Sequence, residues 1–392
     1  MLEIKKPLIQ KNGNKTRLCF DLILNENQCE NIWYEVDSEY EPFLCDDRID
    51  GIVVNILLYC MEHELDIVSE CPISERLYYQ LTNYLIPSIS NNIKKYHFIK
   101  IKAPLCSTPF SSAKAVGTGL SGGIDSFYSI AKHISCDTPS FKLTHLTFFN
   151  AGASGNYGGD VARQLYSDRI AYVENFAKEQ NLKLVTVDTN INEFLHQLHS
   201  HTHTFRALAI PLILQKLFSV YYYSSGCSFS GFRFYYEPAY YDLLNLPCLS
   251  LDNITFYSCG GETTGRLEKV KAVSEYEPSY KYLNVCVSES SNCGHCEKCI
   301  RTLLELYVLG KLELYSDVFD TEYFYKNLKK HYAFMLSRRK NAAYKELIAE
   351  FKKRKMKIPL SSYISAFFIR ADRKIKDNKL VRRIFKKPPL NT

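Results

Sequence analysis

The stretch VGTGLSGGIDSFYSIAKH, residues 116–133, places a paired-glycine turn between an apolar strand and the start of a helix. Two adjacent glycines let the backbone approach an anion closely, while serine hydroxyls and the exposed amides of a helix N-terminus donate hydrogen bonds. This pattern predicts a phosphate-binding turn, and a turn that only caps the helix is the alternative. The candidate phosphate-binding residues are Ser121, Gly122, Gly123 and Ser126.

Asp125 lies in the same turn. Its carboxylate would repel phosphate unless a divalent cation lay between the two groups, and Mg²⁺ accepts both carboxylate and phosphate oxygens as ligands. The sequence therefore predicts Mg²⁺ held by Asp125.

Strands and helices alternate on the C-terminal side of the turn. This alternation predicts an α/β fold in which parallel strands are joined by helical crossovers. The predicted strands are residues 115–120, 143–150 and 182–188, with a fourth beginning within 226–229, and the predicted helices are residues 125–134, 160–180 and 206–223.

The flanking regions differ from this core in pattern and in charge. Residues 1–112 combine strand-like runs at 18–24, 32–36 and 97–101 with an apolar helix at 49–62, which predicts an added N-terminal α+β domain. Residues 113–336 are predicted to form the nucleotide domain, closed by helices within 302–336. Residues 337–392 form a basic tail, because residues 338–392 hold 18 Lys and Arg against 4 Asp and Glu.

The bulk composition bounds the class of protein. The chain has 392 residues, of which 46% are hydrophobic, so it can bury a core of two or three domains. Charges interrupt the first twenty residues, and no apolar run reaches the roughly 18 residues of a membrane span. We therefore expect a cytoplasmic protein. The tail is suited to RNA phosphates, an acidic protein partner or an anionic membrane surface, and a solvated helical face is the alternative.

Four of the fourteen cysteines cluster in CVSESSNCGHCEKC, residues 286–299. Four thiols at this spacing can surround one tetrahedral ion, and the glycine suits the tight turn of a zinc knuckle. Zinc is the preferred metal, and an iron–sulfur cluster is the alternative. The predicted ligands are Cys286, Cys293, Cys296 and Cys299; the other ten cysteines are interpreted as small apolar residues.

The turn SGGIDS matches the SGGxDS signature of the PP-loop, or N-type, ATP pyrophosphatases, and no Gly-Lys-Ser/Thr of a Walker A loop follows it. The resemblance implies a parallel-sheet PP-loop core. It also implies that the turn holds the β- and γ-phosphates of ATP, which leave together as pyrophosphate when an acid group attacks the α-phosphorus.

The turn and the cysteine cluster together resemble the 7-cyano-7-deazaguanine synthase branch, which also has an arginine close behind the cysteines, here Arg301. The resemblance covers residues 115–310. It implies a ligase that adenylates a carboxylic acid, on a 7-deazaguanine-type substrate, for attack by ammonia or an amine. A PP-loop enzyme that thiolates or amidates RNA and a nucleotide-binding subunit without turnover are the alternatives. An oligomer is compatible with any of these.

Further candidates lie in two loops. Arg206 could clamp pyrophosphate or a carboxylate bidentately, although a structural arginine is an equal alternative. Arg266 and Lys269 follow GGETTG, residues 260–265, and could neutralise phosphate; a capped surface helix is the alternative. The histidines of this region are interpreted as hydrogen-bonded or solvated rather than as a second metal site: His196, His199, His201 and His203.

Overall fold

The computed structural model describes residues 1–24, 28–153, 155–286 and 289–377. The chain divides into two compact units, Met1–Thr264 (the first unit) and Gly265–Thr392 (the second unit). The predicted boundaries at residues 112 and 336 therefore fall inside these units. The part of the predicted basic tail from residue 378 onward lies outside the described residues.

The first unit is built on one large mixed sheet. Its strands run in the order β13-β12-β9-β10-β11-β4-β3-β1-β5-β7, with β2 paired to β3, and β6 pairs separately with β8. The strands are β1 (Leu2–Ile4), β2 (Leu8–Asn12), β3 (Lys15–Leu24), β4 (Gln28–Asp37), β5 (Ile67–Ser69), β6 (Ile73–Ser74), β7 (Ile101–Lys102), β8 (Leu105–Cys106), β9 (Ala115–Gly119), β10 (His145–Phe149), β11 (Lys183–Thr189), β12 (Phe218–Ser224) and β13 (Thr255–Cys259).

Five neighbouring strands of this sheet are parallel, which agrees with the α/β class expected from the sequence. β9 lies at their centre, with β10 and then β11 on one side and β12 and then β13 on the other. After β9 the chain first adds β10 and β11 on one side of it and then adds β12 and β13 on the other side. The carboxyl end of β9 is the point at which the strand order reverses, and open α/β sheets bind ligands at such points.

The strands of the N-terminal region extend the same sheet. β4 pairs antiparallel with β11, so that Glu35 faces Asp188 and Tyr34 faces Thr189. The sequence predicts an added N-terminal α+β domain from strand-like runs mixed with an apolar helix. The β4–β11 pairing joins strands that are distant in sequence, and the pattern of a single sequence carries no signal for such a pairing.

Helices cover the sheet of the first unit. α1 is buried over most of its surface and packs on α7, where Gly51 allows a close approach: an added Cβ would lie 2.6 Å from Ile213 Cδ1. The helices are α1 (Asp50–Glu62), α2 (Glu75–Gln80), α3 (Ile86–Asn92), α4 (Ile124–His133), α5 (Asp160–Glu179), α6 (Ile191–Leu195), α7 (His203–Ile213) and α8 (Asp242–Leu249); a π-helical turn, Leu81–Leu85, joins α2 to α3.

Three predicted elements differ from the structure. The helix predicted at 206–223 ends at Ile213, and the second half of that segment is β12, so no strand begins within 226–229. The run FSVYYYS of β12 is rich in aromatic residues, which favour strands, and it is too short to show which periodicity it follows. The strand predicted at 97–101 is reduced to Ile101–Lys102.

The described part of the second unit is helical. α11 contacts α9, α13 and α14, and α13 packs along α15. The helices are α9 (Arg266–Val273), α10 (Ser279–Tyr282), α11 (Glu297–Leu309), α12 (Thr321–Lys326), α13 (Leu328–Ser337), α14 (Ala342–Lys353) and α15 (Leu360–Asp377). Across the residues that the structure describes, no helix has both the length and the apolar character needed to cross a membrane.

Candidate functional site

The SGGIDS turn lies directly beyond β9, at the carboxyl edge of the parallel strands. Leu120 anchors its start, because its side chain is buried and its amide donates to the Thr147 carbonyl of β10 (2.8 Å). Gly122 then adopts a φ of +80°, a left-handed conformation that glycine reaches without steric cost. The chain thereby reverses within three residues and enters α4.

Serine hydroxyl groups form hydrogen bonds within the turn. Ser126 Oγ donates to the Gly123 carbonyl (2.9 Å), and Ser121 Oγ lies 3.3 Å from Ser126 Oγ. Ser121 Oγ also accepts from the Gly123 amide (3.4 Å). Ser121 is exposed, whereas Ser126 is buried and supports the shape of the turn.

α4 begins without a side-chain cap, since its N-cap residue is Gly123. The first amides of a helix carry a partial positive charge and need acceptors from outside the helix. Asp125 stands in this first turn with a half-buried side chain. The turn therefore combines helix amides suited to phosphate oxygens with a carboxylate suited to a divalent cation.

The loops after β12 and β13 meet the same helix. Ser129 Oγ of α4 lies 2.7 Å from Ser224 Oγ at the end of β12. Lys132 of α4 forms an ion pair with Glu262, which follows β13, and Tyr128 Oη donates to the same carboxylate (3.1 Å). These contacts connect α4, which follows β9, to the carboxyl ends of the neighbouring strands β12 and β13.

Arg206 holds two neighbouring loops in place. Its side chain is fully buried on α7 and donates to Asn192 Oδ1 (2.9 Å), to the Gln197 carbonyl (2.9 Å) and to the Asn156 carbonyl (3.3 Å). Burial lowers the pKa of Arg206 to about 10. A guanidinium enclosed in this way joins the loop after β10 to the segment after β11. Its contacts match the structural alternative that the sequence analysis left open beside a ligand clamp.

A buried polar cluster that the sequence analysis did not identify lies at the end of β12. Tyr223 Oη contacts His203 Nδ1 (2.6 Å) and Thr204 Oγ1 (3.2 Å), and Thr204 Oγ1 donates to Asp242 Oδ1 (3.0 Å). Burial, only partly offset by hydrogen bonds from Asn245 and Thr204, raises the pKa of Asp242 to about 7. The signal was an aspartate inside the apolar and aromatic run AYYDLL, residues 239–244.

The histidines after β11 serve different partners. Burial and the charge of Arg206 lower the pKa of His203 to about 4, which keeps its imidazole neutral for the contact with Tyr223. His196 stacks on Tyr157. Within the described ranges, none of these histidines belongs to a group with metal-binding spacing.

Arg266 and Lys269 lie in the second unit, on α9. Arg266 Nε donates to the buried Glu305 carboxylate (3.2 Å), and Lys269 is itself buried. At the start of α9 the Leu267 amide donates to Glu346 Oε1 (3.2 Å), so a carboxylate already occupies this helix N-terminus. These contacts match the capped-helix alternative more closely than the phosphate role.

The four clustered cysteines converge in the second unit. Their sulfur atoms all lie within 4.8 Å of one another, and Cys293 Sγ is 4.0 Å from Cys299 Sγ. A tetrahedral Zn²⁺ with Zn–S bonds of about 2.3 Å requires S···S separations of about 3.8 Å. The set Cys286, Cys293, Cys296 and Cys299 could therefore hold a metal ion such as zinc after small side-chain adjustments.

The local backbone supports that geometry. Gly294 has a φ of +73°, which allows the tight turn between Cys293 and Cys296. The Cys296 amide points at Cys293 Sγ (3.3 Å) and the Cys299 amide at Cys296 Sγ (3.5 Å). Cys296 also caps α11, so the helix fixes two of the four sulfurs.

Comparison of the chain with protein-family models, with curated proteins and with solved structures gave no match.

Proposed function

We propose that the chain is an ATP-dependent enzyme that forms AMP and pyrophosphate while it activates an acid group. The observation that carries the proposal is the position of the SGGIDS turn, at the carboxyl end of the central parallel strand β9, where the strand order reverses. Doubly wound sheets bind nucleotides at this position, and a helix N-terminus attracts phosphate. The PP-loop signature supports ATP as the nucleotide.

Five of the six residues of the turn contribute to the proposed binding of ATP. The positive φ of Gly122 and the absence of a side chain on Gly123 bring backbone amides close to the β- and γ-phosphates. Ser121 supplies an exposed hydroxyl, and Ser126 supports the turn. Asp125 would hold Mg²⁺, which neutralises phosphate charge when it is bound.

The acid to be activated is proposed by resemblance to the 7-cyano-7-deazaguanine synthase branch. It is a carboxylic acid, on a 7-deazaguanine-type molecule, that ammonia or an amine attacks to release AMP. The chain supplies electrostatic stabilisation and positioning for such a reaction, and a protein nucleophile is not needed.

The test is identification of the nucleotide products. The protein is incubated with Mg·ATP, ammonium and a panel of carboxylic acids, and the products are resolved by ³¹P NMR. We expect AMP and pyrophosphate with the correct acid. Release of ADP and phosphate would overturn the proposal.

The variant Asp125→Ala sharpens this test. We expect turnover to fall by about a thousandfold, because removal of a single group that stabilises transition-state charge has cost that much in other enzymes. Circular dichroism and metal content should stay unchanged. Asp168→Ala, which removes an exposed carboxylate from α5, is the matched control and should leave turnover intact.

A further inference from the structure

α15 exposes an apolar stripe in the second unit. Five large apolar side chains on this helix are between 46% and 76% exposed. Their spacing of three and four residues places most of them along one side of the helix. They are Leu360, Tyr363, Ile364, Phe367 and Phe368.

A different side of α15 attaches the helix to its own unit. Ser362 and Ala366 are buried where α15 packs along α13, and Ser362 Oγ donates to the Lys329 carbonyl (3.0 Å). Arg370 donates to the Leu336 carbonyl of α13 (3.2 Å). These contacts hold the helix through small and polar side chains, so the core of the unit does not use the large apolar stripe.

Cations gather beside the stripe. Phe367 lines a cavity of about 690 Å³ whose wall also contains six basic side chains. Glu297 is the one carboxylate among the described residues that line it, and this carboxylate already pairs with Arg338 (3.0 Å). The cavity therefore has an excess of positive charge. The basic side chains are Arg338, Arg339, Lys340, Arg370, Arg373 and Lys374.

We propose that α15 docks the protein on an anionic lipid bilayer, with the stripe inserted among acyl chains and the basic cavity against lipid phosphate and carboxylate groups. An interfacial helix needs apolar area on one side and cations near the headgroups, and the described residues supply both. Leu360 and Ile364 favour lipid over single-stranded RNA, because bases stack on aromatic side chains and not on aliphatic ones. An acidic protein partner would also match the charge, but a long apolar stripe flanked by cations on a single helix is the pattern of an interfacial helix.

The test is flotation of the full-length protein with vesicles. Vesicles of pure phosphatidylcholine are compared with vesicles of phosphatidylcholine and phosphatidylserine in a seven-to-three ratio, at low and at high salt. We expect binding to the anionic vesicles that weakens as salt rises, and little binding to the neutral ones. The absence of binding to anionic vesicles would overturn the proposal.

Two variants separate the apolar and charged contributions. Phe367→Ser with Phe368→Ser should lower the vesicle partition coefficient at least about tenfold, because inserted phenylalanine rings are lost. Lys374→Glu should lower it at least about fivefold at low salt and much less at high salt. These side chains are exposed, so circular dichroism should show an unchanged fold for each variant.

Control variants, and tests for self-association and for RNA binding, complete the experiment. Val161→Ser and Lys178→Glu alter exposed side chains of α5 in the first unit, and both should bind vesicles like the unaltered protein. Sedimentation velocity and fluorescence anisotropy with a 20-nucleotide RNA are run on the same variants. Self-association or RNA binding that depends on the two phenylalanines, without vesicle binding, would assign the stripe to a second copy or to RNA and overturn the lipid proposal.

Discussion

Gly122 adopts a backbone conformation that residues with a Cβ seldom adopt, at φ +80°. Gly122→Ala should cost about 1–2 kcal/mol in the free energy of unfolding. Because the turn must shift to relieve this strain, we expect kcat/KM for ATP to fall by about a hundredfold. Denaturant unfolding and steady-state kinetics measure the two effects.

Gly13 provides a matched comparison for that variant. It also has a positive φ, of +61°, and an added Cβ would meet no atom within 4 Å, but it lies between β2 and β3, away from the turn. Gly13→Ala should lose similar stability and keep its activity. An equal loss of activity in both variants would mean that instability, and not the shape of the turn, limits catalysis.

Asp242 makes folding stability depend on pH. The folded protein keeps this proton up to a pKa of about 7, whereas the ordinary value is 3.8, so between pH 4 and 7 the folded state binds more protons than the unfolded chain. This contribution to stability is therefore present at pH 4 and is lost as pH rises toward 7.

Asp242→Asn should remove that dependence, because asparagine resembles the neutral acid. We expect the variant to gain stability relative to the unaltered protein as pH rises from 4 to 7, by at most about 1.4 kcal/mol per pH unit. Thermal unfolding across this range measures the difference, and Asp168→Asn is the exposed control. A stability difference that stays constant with pH would show that the Asp242 carboxyl is already ionised at pH 4.

At the scale of elements, sequence reasoning succeeded where residues adjacent in the chain set the local structure. Cysteines three apart at the start of α11, and glycines at a strand end, determine turns through neighbouring residues alone. The sequence did not separate α7 from β12, because the apolar residues of this segment are buried on all sides and show no clear periodicity. The polar cluster around Tyr223 was missed because its members come from separate segments of the chain, α7, β12 and α8.

The knuckle formed by the cysteine cluster and α11 should contain about one zinc per chain. Cys299→Ser removes a buried candidate ligand, so we expect the metal to be lost and residues near the start of α11 to become sensitive to protease. Mass spectrometry of the metal and limited proteolysis measure these effects, and the exposed Cys29→Ser is the control. Iron with visible absorbance in the anaerobically purified protein would contradict zinc.

At the scale of the whole molecule, the α/β class and its parallel strands were predictable and the extent of the sheet was not. The pairing of β4 with β11 joins segments about 150 residues apart, and it depends on contacts that leave no periodic trace in either strand. The partners of Arg206 and Arg266 were not predictable for a similar reason, since an arginine in a sequence does not reveal whether it contacts a ligand or a neighbouring part of the fold.

Calorimetric titration with α,β-methylene-ATP tests most directly whether the SGGIDS turn binds ATP through its terminal phosphates. This analogue resists cleavage between the α- and β-phosphates, the bond that the proposed reaction breaks. We predict one saturable site that requires Mg²⁺ and for which pyrophosphate competes. Asp125→Ala and Gly122→Ala should weaken the affinity for the analogue, whereas Asp168→Ala and Gly13→Ala should leave it unchanged. The absence of binding, or binding unaffected by changes in the turn, would contradict the account.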